Sequence, residues 1–130
     1  MAGRNTLMKD GKLLVLDVKA ATLIEEGKIV AVDATGMAVP GADTAGLTVM
    51  GSSDKRVDNS GGADGDLGVP VKRKASFLYA NSSGNAVTAA HIGKAVYVED
   101  DETVASSSTN SIAAGKCLGV ESSGVWVEHE

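Results

Sequence analysis

The sequence predicts an all-β fold: a small β-barrel or sandwich-like domain of short strands with an extended N-terminal arm. Three observations predict it. Short Val-rich runs recur along the chain, each bounded by Gly, Asp, Asn or Ser. Helical periodicity is almost absent. Pairs of runs are joined by brief turn-forming stretches of the kind that close hairpins.

The elements follow in order. Residues 1–12 carry little pattern and read as the arm, and residues 13–130 as a single β domain. Residues 13–18 form the first apolar run. The best helix candidate is 18–26, with Ala20, Ala21, Leu23 and Ile24, although Thr22 and Gly27 bracket it poorly. Residues 28–33 and 37–39 make a hairpin around Ala34-Thr35-Gly36, with Gly36 supplying a positive φ. Pro40-Gly41 ends it, and 47–50 is another short strand. The segment 58–66 is a glycine-rich loop without a bulky residue. Residues 69–80 read as one longer strand, with Val71, Arg73, Ala75, Phe77 and Tyr79 on one parity and Lys72, Lys74, Ser76 and Leu78 on the other. Pro70 would place its start at a sheet edge. Residues 95–99 and 103–106 flank Asp100-Asp101-Glu102 as a second hairpin. After the polar loop 107–111, residues 116–120 and 125–128 pair around Glu121-Ser122-Ser123-Gly124.

The chain also echoes itself. Gly27-Lys28-Ile29-Val30-Ala31-Val32-Asp33 resembles Gly93-Lys94-Ala95-Val96-Tyr97-Val98-Glu99. Val39 and Val104 follow at similar distances, and then the glycine-bounded segments 46–51 and 115–119. Two copies are too few for a solenoid and suggest two similar β-units packed in one barrel.

Composition narrows the function classes. The chain has 130 residues and a formal charge of −5, and its only aromatics are Phe77, Tyr79, Tyr97 and Trp126. A core with few aromatic side chains is thin, which favours help from partner subunits. The negative charge argues against nonspecific binding to nucleic acid or to an anionic membrane. No apolar run approaches the ~20 residues needed to span a bilayer. The N-terminus lacks the layout of a signal peptide, so synthesis in a cytoplasm is expected. The single cysteine, Cys117, reads as a buried small hydrophobe.

No motif for catalysis emerges. His91 precedes a strand without a nucleophile motif, and His129 lies near the C-terminus, where chains usually fray. Gly36 and Gly41 have P-loop spacing but are followed by Ala42-Asp43 rather than Lys and a hydroxyl residue. The Asp-rich stretch from Asp54 through Asp58 and Asp64 to Asp66 has the composition of a hard-cation site but not the order of one, and reads as a solvated loop. Lys72-Arg73-Lys74 is the densest basic cluster, and strand alternation splits it between two faces. No catalytic residue, cofactor or metal site is assigned.

Several segments carry a resemblance in chain order: residues 27–40, with the core Val-Ala-Val-Asp-Ala-Thr-Gly-Met-Ala-Val-Pro; Arg56-Val57-Asp58-Asn59; residues 89–105, around Ile92-Gly93-Lys94; and Ser123-Gly124-Val125-Trp126-Val127. Together they resemble bacteriophage and prophage capsid cement, or head decoration, proteins over nearly the whole chain from Leu13. Two positions depart from the pattern: His91, where an acidic residue is expected, and Arg73-Lys74-Ala75, where a Lys/Arg-Gly pair is common. The resemblance implies a compact β-barrel-like domain without catalysis, present in many copies on the outer surface of a virion. Its partners would be the major capsid protein and itself, as a homotrimer ahead of a dimer, without nucleic acid or membrane. The terminal arm would dock on the capsid, with Asn5, Thr6, Leu7 and Met8 as the interface candidates. The rival reading is a tail, baseplate or fibre β-module that binds a receptor or glycan. An enzyme would need a deep pocket lined by His91 and acidic side chains.

Overall fold

The computed structural model describes residues 11–129. Residues 1–10, most of the expected arm, lie outside that range. The described chain is all-β, with twelve strands and one short 3-10 turn, Ala89–His91. The strands are β1 (Leu13–Asp17), β2 (Thr22–Ile24), β3 (Ile29–Val32), β4 (Ala38–Pro40), β5 (Thr48–Ser53), β6 (Val57–Asn59), β7 (Gly68–Lys72), β8 (Ser76–Asn81), β9 (Ala95–Val98), β10 (Thr103–Ala105), β11 (Ala113–Glu121) and β12 (Gly124–Glu128).

They fall into two units. In the second, β10-β8-β12-β11-β9 form a closed barrel, sealed by the parallel pairing of β10 with β8. In the first, β1-β7-β5-β3-β4 form a five-stranded sheet with β2 and β6 as a separate pair. Its outer strands approach through one parallel bridge, Val18 to Ala38. Each unit has its own apolar cluster. Val18, Ile24, Val30, Ala38, Val69 and Val71 fill the first, and Val96, Val98, Val104, Cys117, Val125 and Val127 fill much of the second.

The units are two versions of one design, with β1, β3, β4, β5 and β7 answering to β8, β9, β10, β11 and β12. Backbone bonds match one for one. Gly27 N–H donates to Ser53 O (3.0 Å) as Gly93 N–H does to Cys117 O (2.7 Å). Asp33 to Met37 (3.0 Å) matches Glu99 to Thr103 (2.9 Å), and Lys19 to Ala38 (3.1 Å) matches Ser82 to Val104 (2.9 Å). Gly51 and Gly115 are equivalent in a way that chemistry enforces. A Cβ at Gly51 would strike the Lys72 carbonyl oxygen and approach Val71 Cγ1 at 2.9 Å; at Gly115 it would strike the Glu128 carbonyl oxygen and approach Val127 Cγ1 at 2.9 Å. Only glycine lets β5 cross β7, and β11 cross β12, this closely.

The internal echo is therefore real, but the two units do not share one barrel. Its register also shifts: Val104 answers to Ala38 rather than Val39, and Gly115 answers to Gly51, the end rather than the start of its segment.

Three further expectations are corrected. The helix candidate 18–26 is β2 and its flanking turns, with Ala21 at a φ of +55°. Its apolar residues serve the β2–β6 pair, where Ile24 opposes Val57 and both are buried. The long strand 69–80 is two strands, broken where Lys74 turns at a φ of +54°. The break hands the chain from one unit to the next. Pro70 lies in an inner strand, between β1 and β5. Its carbonyl accepts from Asp54 N–H (2.8 Å), so its ring nitrogen faces the side where the β5 ladder has already ended at Ser53. Proline costs that ladder nothing there.

The units are bound together. Ile29 of β3 packs into the second unit's cluster, and Leu47 and Val49 pack against it. Ile29 N–H donates to Asp101 O (2.7 Å), and Lys28 pairs with Glu102. The Asp43 carboxylate accepts from the N–H groups of Thr109 (3.0 Å) and Asn110 (2.9 Å).

Gly51→Ala and Gly115→Ala should each destabilise the protein by about 2 kcal/mol through overpacking against a strand carbonyl. Gly36→Ala, at a φ of +84° with open space around it, should cost about 1 kcal/mol, from backbone strain alone. Urea unfolding checks this order, and equal midpoints for the three variants would contradict it.

Candidate functional site

The most unusual chemistry is a buried polar chain at the junction of the units. Strand β8 turns Tyr79 inward, on the parity read from the sequence, and the backbone N–H of His129 holds to Ala75 O at 3.0 Å. Tyr79 Oη lies 2.6 Å from His129 Nε2, and His129 Nδ1 lies 2.9 Å from Ala114 O. The carbonyl requires a donor, which places the ring proton on Nδ1 and leaves Nε2 to accept from the phenol. Ser52, on β5 of the other unit, also hydrogen-bonds the phenol. Phe77 packs over both rings, with centroids 6.4 Å from Tyr79 and 5.7 Å from His129. His129 is thus 2 % exposed and pinned, against the expectation of a frayed end.

Burial pushes the Tyr79 phenol up to about 12, with the Ser52 hydrogen bond acting weakly the other way. Burial also lowers the His129 imidazole, against the Ala114 carbonyl, which favours its charged form. Both groups are therefore neutral at pH 7, and each polar atom of the two side chains is engaged. The chain fixes protons in place rather than offering one to a reactant.

Beside it, a cleft of about 530 Å³ is lined by Leu47, Val49, Ala95, Ala113, Lys116 and His129, among others. Its walls are small and apolar, and Lys116 is its charged side chain.

The residues singled out from sequence are dispersed. Asn5, Thr6, Leu7 and Met8 lie outside the described residues. His91 closes the 3-10 turn, its Nδ1 accepting from Thr88 N–H at 3.0 Å, and takes no part in the buried pair. Carboxylates of the Asp-rich loop serve the fold. Asp54 pairs with Lys72 (3.0 Å), Asp58 accepts from Ser60 N–H (3.0 Å), Asp64 from Ala20 N–H (2.7 Å) and Asp66 from Ala63 N–H (2.9 Å). Among the described residues, no group of His, Cys, Asp and Glu side chains gathers as a metal site. Cys117 is fully buried, as read from its apolar surroundings.

The outer sheet faces carry the second notable feature. On unit one, Leu13 opposes Lys72 and Val15 opposes Pro70; on unit two, Ser76 opposes Glu128 and Leu78 opposes Trp126. Val15 is 70 % exposed, and Leu78 and Trp126 are each 39 % exposed. Trp126 Nε1 donates to Glu121 (2.8 Å) along the surface. Alternation in these strands, inward valine against outward apolar residue, could have marked the faces, but a valine and a proline alone give no such signal.

No family model, curated protein or solved structure was found to match this chain.

Two outcomes follow from the buried chain. Tyr79→Phe leaves Nε2 of a buried imidazole and the Ser52 hydroxyl without their partner, and should cost about 1–3 kcal/mol in urea unfolding. The lowered His129 means that the unfolded chain binds its proton more readily than the folded one. Stability should therefore fall as pH drops below the ordinary histidine value of 6.5. His129→Gln should flatten unfolding midpoints between pH 7 and roughly 5.5, and an unchanged slope would rule out this source.

Proposed function

We propose that this protein is a bacteriophage capsid decoration, or cement, protein that binds the outside of the major capsid protein shell and stabilises it. The observation that carries the reading is the ordered resemblance from Leu13 to Val127. The β architecture supports it, because a cement protein acts by shape and contact. Two β-units locked by a buried polar chain and an apolar junction make a stiff body, and their outer faces hold apolar residues at solvent. Contacts of modest strength become durable when a subunit engages several capsid subunits at once, because each later contact is effectively intramolecular. A homo-oligomer, trimer ahead of dimer, seated at a capsid symmetry point would gain most from this.

One observation favours the rival tail or fibre module: Trp126 stands at the surface beside Leu78, where a sugar ring can stack. Its indole N–H is committed to Glu121 and the surrounding face is an open sheet rather than a pocket, so the cement reading is preferred.

Purified protein should co-sediment with capsids lacking decoration and raise the temperature at which they rupture. Absence of binding at micromolar concentration, with saturable binding on a glycan array, would replace the cement reading with its rival.

A further inference from the structure

The duplication places two faces at the same position on the two units. Val15 answers to Leu78, Pro70 to Trp126 and Lys72 to Glu128, because each set occupies the same rungs of the same strand pair. At the centre of each face an apolar pair reaches solvent: exposed Val15 with half-buried Pro70 on unit one, and exposed Leu78 with exposed Trp126 on unit two. Their flanking charges are opposite. On unit one, Lys72 lies beside the apolar pair, half-exposed and touching Asp54. On unit two, Glu128 stands at that rung and Glu121 lies beside Trp126.

The asymmetry extends along the sequence. Before Ser76 ten Lys and Arg residues balance ten Asp and Glu, while from Ser76 to His129 only Lys94 and Lys116 stand against Glu99, Asp100, Asp101, Glu102, Glu121 and Glu128. Within the chain, unit one already meets unit two through one such pair, Lys28 with Glu102.

We propose that the β1–β7 face of one copy docks on the β8–β12 face of a second copy, with Val15 and Pro70 against Leu78 and Trp126 and Lys72 facing Glu128. Each half of the contact is on this chain, and its chemistry fits the other half better than it fits itself. Two β8–β12 faces would set glutamates together, whereas Lys72, paired with Asp54 in its own unit, offers Glu128 a cation. The contact is heterologous, so repeated use generates a ring if the rotation closes and an open chain if it does not. The inference rests on the self-associating part of the function proposed above and not on capsid binding.

Sedimentation velocity of the full chain at tens of micromolar and low salt tests it. The wild type should sediment as an oligomer. Val15→Asp and Leu78→Asp, each at a solvent-exposed position, should retain the wild-type far-ultraviolet circular dichroism spectrum and be monomers when alone. Mixed in equal amounts, they should form a heterodimer and stop there, since the intact face of each meets the intact face of the other. Lys72→Glu and Glu128→Lys should each weaken assembly, and the double exchange in one chain should restore it. A monomeric wild type, a single-face variant that assembles like wild type, or a mixture that stays monomeric would overturn the contact. Monomers that still decorate capsids would sink this contact and leave the cement reading standing; oligomers that ignore capsids would do the reverse.

Discussion

A phenol taken out of water needs partners on more than one side, and the arrangement around Tyr79 meets that need with groups from distant parts of the chain. Ser52 comes from the first unit, His129 from beyond the last strand, and Ala114 takes up the other side of the imidazole. Removing any one leaves a buried polar atom stranded, a larger penalty than the bond itself is worth. The chain thus specifies how one unit sits on the other. Apolar packing by Ile29, Leu47 and Val49 supplies attraction there but little direction.

Neither unit carries a large core. Their interiors are mostly valine with alanine and isoleucine, and the only fully inward aromatic of the second cluster is Tyr79. Small β-branched side chains allow strands to approach closely, and the glycines at 51 and 115 extend that to direct backbone passage. Such an interior is compact but thin. Sharing Ile29 across the junction deepens the second cluster with a residue the first unit donates.

Hairpins were the most legible part of the fold. The turns around Gly36, Asp101 and Ser122 carry their own residue chemistry, and alternation in the flanking runs fixed their pairing. Local pattern failed where tertiary context decided. Ala20 and Ala21 suggest helix, yet the neighbouring Ile24 is needed opposite Val57. Residues 69–80 keep one unbroken parity, so nothing local reveals the turn at Lys74. The buried chain was only partly legible: strand parity grouped Tyr79 with Val71 and Phe77, whereas His129 lies near the end of the sequence and acquires its role only through contacts 50 and 15 residues away. The arm residues expected to meet the capsid, Asn5 to Met8, fall outside the described range.

The order of strands in the second barrel has a consequence for biosynthesis. β12 is the last of the described strands, but it sits between β8 and β11 rather than at a rim. Until residues 124–128 have left the ribosome, β8 and β11 lack the neighbour that joins them, and the barrel cannot close. The first unit has all its strands by Lys72 and can assemble while the second is still being translated. Nascent chains would therefore pass through a stage with one finished unit and a row of unpaired strands, during which chaperones would have most to shield.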